Sequence, residues 1–156
     1  MIKKLLFTCA ALLLSIITFA NPVSKDLAKT VATNFYKYIN NGVNDYSISN
    51  SYEAQYNGMH TFYTFVFTSG GFVMVAADDA AKPILGYSTE GTIDFTNVPV
   101  NTQEFFDDFS KEIYKIVDAK LDNTETLIEW NKYATENSVK SPMAIVGPFC
   151  LTTWDQ

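Results

Sequence analysis

Leu27, Val31, Phe35 and Ile39 recur at every fourth position of an otherwise polar stretch, the spacing that lines one face of an α-helix. Ser24 offers a capping oxygen at its start and Asn40-Asn41-Gly42 a stop, so the pattern predicts a helix over residues 24–40. Residues 46–56 are polar and aromatic and read as one or two weak strands. A stronger alternation comes next at 60–68, HTFYTFVFT, with Phe62, Thr64 and Val66 set against Tyr63, Phe65 and Phe67. Residues 72–77, FVMVAA, form its partner, and Ser69-Gly70-Gly71 between them has the composition of a hairpin turn. Residues 78–82 make a turn, Pro83 removes a ladder donor, and 84–88 is a third short strand closed by Glu90-Gly91.

Helical spacing then returns. Asn101 with Glu104 three residues on has the form of a capping box. Phe105, Phe109, Ile113, Ile116 and Val117 make an apolar stripe running up to Leu121. Asp122-Asn123 breaks or bends it, and 124–136 reads as a third helix carrying Leu127, Ile128, Trp130 and Tyr133. Residues 138–142 are a linker. Pro142 and Pro148 each push the residue before them towards extended geometry, so the tail reads as extended. The expected fold is a single α+β domain: a small antiparallel β-sheet with helices packed on one face.

The first 20 residues stand apart from this pattern. Lys3 and Lys4 precede an apolar run, and Thr18-Phe19-Ala20 ends it on a small residue before Asn21-Pro22. This is the anatomy of a secretory signal peptide cut after Ala20, and the run is too short for a membrane span of about 20 residues. Cys9 lies inside the run rather than at its end, which does not suit lipidation. The expectation is an exported chain, periplasmic or secreted, without a stable membrane anchor. Its folded domain spans 21–145 and an extended tail 146–156.

Removal of residues 1–20 would leave nine lysines, no arginine and 17 acids, a formal charge of −8. Nucleic acid is therefore an unsuitable partner, because it demands a basic patch. The same removal leaves Cys150 as the only thiol, so no internal disulfide is expected. His60 and Cys150 are the sole candidates for a nucleophile–base pair, and nothing in their spacing brings them together. No G-x-S-x-G elbow, glycine-rich phosphate loop or ligand set for a metal occurs, and no cofactor is implied. Asp78-Asp79 reads as turn chemistry rather than a calcium site. From the residues alone, the chain is an exported, non-enzymatic domain with a surplus of aromatic side chains suited to binding.

Residues 70–91, GGFVMVAADDAAKPILGYSTEG, go further. They resemble the prosegment signature of streptopain-type secreted cysteine peptidases, a strand of the form GGFVIVSADD followed by KPILGYS. The same module occurs as stand-alone streptopain-inhibitor (Spi-like) proteins. The family signature falls on Gly70, Gly71, Phe72, Asp78, Asp79, Pro83, Gly86 and Tyr87, which are expected to act mainly in structure.

The resemblance implies that 21–145 is a prosegment-like inhibitor domain. It implies that the chain inhibits a cognate streptopain-type cysteine peptidase by occluding its active-site cleft, and is a monomer when free. The alternative is a truncated zymogen or orphan prosegment. In such peptidases a segment like PLLTTTWDQ leads into the catalytic domain, and GPFCLTTWDQ at 147–156 resembles that junction. The family's cleft-reaching loop corresponds to Asn97, Val98, Pro99, Val100 and Asn101. Asn101 is expected to contact the peptidase, to cap the following helix, or to do both. Phe149, Leu151 and Trp154 of the tail form a second candidate contact surface.

Overall fold

The computed structural model describes residues 21–40 and 43–135. The proposed leader, the 138–142 linker and the tail with Phe149, Cys150, Leu151 and Trp154 lie outside them. Helix α1 (Lys25–Ile39) starts where Ser24 Oγ accepts the Leu27 N–H at 3.2 Å, and closes where the Asn40 N–H reaches the Tyr36 carbonyl. The four strands β1 (Ile48–Tyr56), β2 (Met59–Phe67), β3 (Phe72–Ala76) and β4 (Ile84–Ser88) pair antiparallel in chain order. The polar stretch before Tyr56 is thus a single strand. It is held by the two-residue turn Asn57-Gly58, whose φ values of +50° and +79° are those a hairpin of this length prefers.

The α+β class, the antiparallel sheet and the single domain agree with the sequence expectation. The placement of all helices on one face does not. Successive side chains of a strand point to opposite faces, and β2 is buried at every position from 61 to 67. Tyr63, Phe65 and Phe67, with Val73 and Val75 of β3, pack against α1. On the opposite face Phe62, Ala54 and Met74 pack against Phe106 of helix α2 (Val100–Asp118). A third helix, α3 (Thr124–Ala134), lies beside α1: the Asn34 side-chain amide donates to the Tyr133 carbonyl at 2.8 Å, and Trp130 Nε1 to the Ala81 carbonyl at 2.9 Å. Strands apolar on both faces need cover on both, and HTFYTFVFT is such a strand.

Thr64 is one of three residues among those described that hold a buried side-chain atom without a partner, with Asn40 and Asn123. Thr64 sits in the centre of the sheet, paired with Tyr52 and Met74, fully buried, and its hydroxyl bonds to nothing among the described residues. Thr64→Val keeps the shape and removes the stranded hydroxyl, so we expect it to raise the unfolding free energy by about 1 kcal/mol in a urea titration.

Helix α2 departs from its predicted start. The Gln103 N–H bonds to the Pro99 carbonyl, so Pro99 is the cap residue, and no side chain caps this end. Asn101 therefore lies inside the first turn and the capping box with Glu104 does not form. Helical phase shifts with it: Phe106, Ser110 and Ile113 are buried, whereas Phe105 is 51% exposed. The Thr61 and Ser110 hydroxyls, 3.0 Å apart across the buried face, mark that phase. In α3, Trp130 and Tyr133 face inward and Ile128 outward.

Candidate functional site

The signature residues shape the β3–β4 corner. Gly70 and Gly71 turn the β2–β3 hairpin with φ of +97° and +80°, and the Tyr36 hydroxyl donates to the Gly70 carbonyl at 2.6 Å. The Tyr36 ring stacks on Phe67 at 3.7 Å, tying helix α1 to the same turn. Phe72 packs partly buried on the α2 side, and Gly86 pairs with Met74. Tyr87 meets the Phe35 ring edge-on at 5.0 Å. Pro83 is among the fully buried side chains.

Asp78 and Asp79 divide their work. Asp78 Oδ1 accepts the Ala80 N–H at 2.9 Å, the turn chemistry expected of it, and burial pushes its carboxyl above the usual carboxylate range. Asp79 Oδ1 accepts from the Asn21 backbone at 2.7 Å and the Asn123 side-chain amide at 2.9 Å. These signature residues have structural work to do, and none lies in the 97–101 loop.

That loop is displayed from an aromatic base. Tyr52 on β1 stacks on Phe95 at 4.8 Å and on Phe106 at 5.9 Å. Ile93, Phe95 and Val98 pack against this second core cluster. Asp94 closes the turn before it, accepting the Thr96 N–H and hydroxyl at 2.9 and 2.6 Å, and the Thr96 hydroxyl holds the Asp94 carboxyl below its ordinary range. With Val98 turned towards the core, Asn97, Pro99, Val100 and Asn101 are left exposed, and Val100 is 77% exposed. A stacked base and a proline limit the conformations the loop must give up on docking.

Because Asn101 makes no cap bond, Asn101→Ala should change the unfolding free energy by less than about 0.5 kcal/mol, whereas Ser24→Ala should cost about 1 kcal/mol. Thermal melts of the two variants side by side would check this. A loss at Asn101 equal to that at Ser24 would restore it as a capping residue.

Beside the loop runs a groove of about 490 Å³ between α2 and the β3–β4 corner, walled by Leu85, Phe105, Phe109, Ile113 and Ile116. Lys82, Asp108 and Glu112 also line it. The apolar stripe read from the sequence thus splits in two. Ile113 is buried, while Phe105 and Phe109, with rings 4.6 Å apart, line an open apolar channel. The feature missed at the sequence level was Phe106, one position out of phase with the stripe. Two adjacent phenylalanines on a helix point about 100° apart, so one of the pair had to face elsewhere.

His60 lies near Glu53 and Gln55 at the exposed end of β2, with Nδ1 3.6 Å from Glu53 Oε2. Cys150 lies outside the described residues. Among the described residues no group of three or more His, Cys, Asp or Glu gathers as a metal site, and no helix is long and apolar enough to cross a membrane.

The family model for the Spi protease inhibitors matches residues 20–113, more than half of the chain. Over 133 residues the chain is 26% identical to the thiol protease/hemagglutinin PrtT of Porphyromonas gingivalis. That alignment takes in 81% of this chain and 15% of the length of that protein. No solved structure matches.

Proposed function

Because this chain belongs to the Spi protease inhibitor family, we propose that it is an exported inhibitor of a streptopain-type cysteine peptidase. It places the 97–101 loop and the adjoining groove over the active-site cleft. The observation that carries the mechanism is the exposed Pro99-Val100 pair, presented from the stacked Tyr52, Phe95 and Phe106 rings. A prosegment acts with an effective concentration of order mM conferred by its covalent link. A free inhibitor lacks that help and needs an interface of about 1,600 Å² with buried anchors. The loop and the phenylalanine-walled groove are neighbouring apolar surfaces from which such an interface is built.

Titration tests this. Residues 21–156 are added to an active streptopain-type peptidase from the same source, with papain as off-target control, and substrate cleavage is followed. Tight and selective loss of the first activity is expected. Intact peptidase activity, or rapid digestion of the added chain, would overturn stand-alone inhibition.

A second reading is favoured by the likeness to a segment amounting to 15% of a thiol protease: the domain serves as the prosegment of a longer peptidase. Under that reading the isolated domain inhibits weakly, and fusing it ahead of the peptidase restores full latency.

A further inference from the structure

We propose that cleavage after Ala20 creates a new α-ammonium at Asn21, and that the fold holds a built receptor for it in the Asp79 carboxylate and the Asn123 side chain. The segment at the start of the described chain is already docked. The Val23 N–H bonds to the Ala77 carbonyl at 2.9 Å, Pro22 bridges to Asp78, and the Asp79 N–H bonds to the Asn21 carbonyl at 3.1 Å. The Asn21 nitrogen itself lies 2.7 Å from Asp79 Oδ1. The same oxygen accepts from Asn123 Nδ2 at 2.9 Å, and Thr126 Oγ1 donates to the Asp79 backbone carbonyl at 2.5 Å, so the start of α3 holds Asp79 through both its side chain and its backbone.

Two observations make this more than a surface contact. Asn123 is 1% exposed, and its Oδ1 is buried with no donor among the described residues. That oxygen shares its carbon with the Nδ2 that touches Asp79. A peptide nitrogen at Asn21 offers one N–H and no charge. An α-ammonium offers three N–H groups and a full positive charge, at a position already within charge-assisted hydrogen-bond distance of the carboxylate.

The chemistry is hydrolysis by a leader peptidase. Water breaks the Ala20–Asn21 C–N bond, its oxygen joins the Ala20 carbonyl as a carboxylate, and the amine at Asn21 takes up a proton. An α-amine ordinarily titrates near 7.7–8.0 and an adjacent carboxylate raises that value, so the group is charged at neutral pH. The ion pair thus forms only in the processed chain. It ties the N-terminal segment, the β3–β4 corner and α3 together, and the fold tightens after the leader is gone.

Three forms test it: the chain beginning at Asn21, the same chain α-N-acetylated, and a chain retaining Ala20. The free form is expected to melt roughly 3–5 °C above both others near pH 6.5, and Asp79→Asn should erase the difference. Equal midpoints, or a difference that survives Asp79→Asn, would overturn the proposal. If Asp79→Asn does not fold, NMR titration of the Asn21 α-amine in the unaltered free form decides. A pKa above the ordinary range supports the pair, and one within it refutes the pair. None of these measurements involves a peptidase, so the result stands apart from the inhibitory reading.

Discussion

Gly71→Ala is expected to lower the unfolding free energy by about 3–4 kcal/mol, a large share of the roughly 5–15 kcal/mol of a typical domain. The position has φ of +80°, which a side chain resists. A Cβ there would stand 2.9 Å from the Thr89 carbonyl carbon and closer still to the Ser88 carbonyl oxygen. Both are backbone atoms at the end of β4, and the Gly71 N–H is anchored to the Gly91 carbonyl at 2.7 Å. No rotamer change relieves such a clash; the β2–β3 turn or the end of β4 must shift. Gly58→Ala is the control, because Gly58 has φ of +79° and nothing within 4 Å of an added Cβ. It should lose only the backbone term, about 1–2 kcal/mol. Urea unfolding of both variants measures the difference. Equal losses would mean that the corner yields and that close approach is not why glycine stands there.

Val100→Asp is expected to weaken inhibition of the cognate peptidase at least 100-fold, about 2.7 kcal/mol, the range of a central interface anchor. Val100 is 77% exposed, so the free protein stabilises itself little through this side chain. Its replacement also lies in the first turn of α2, where an acid is favoured by the helix dipole. The variant should therefore melt no lower than the parent while its inhibition constant rises. Unchanged inhibition would move the contact elsewhere and leave the groove between Leu85 and Phe109 as the surface to mutate next. A fall in both stability and inhibition would mean that the loop contributes to the fold and would void the comparison.

Much of this is legible in the residue pattern for physical reasons. Ser24 ahead of the Leu27–Ile39 repeat specifies a capped amphipathic helix because the relevant contacts are local. The Gly70-Gly71 turn is readable because few residues other than glycine tolerate its φ values. Asn57-Gly58 carries an equally good signal, which the weak-strand reading of 46–56 passes over. Within the 70–91 signature, Asp78 and Asp79 accept backbone and side-chain hydrogen bonds, Pro83 is buried and Tyr87 meets Phe35 edge-on.

The errors share one cause. A local motif assigns Asn101 to the cap, but Pro99 starts the helix and Asn101 falls inside it. Spacing alone puts Phe105 in the apolar stripe, yet Phe106 meets Phe62 at 5.7 Å and takes the buried place.

By itself, the sequence determined the kinds and order of elements, the Gly70-Gly71 turn, the acidic net charge and the resemblance that leads to an inhibitor. These depend on neighbours a few residues apart, or on charge alone. Only the tertiary structure decided that α2 covers the opposite face of the sheet from α1, that Phe105 and Phe109 line a groove, and that Asp79 joins Asn21 to Asn123. Each of these depends on which of two apolar faces a distant segment covers, and a period along the chain shows that a face exists without naming its partner.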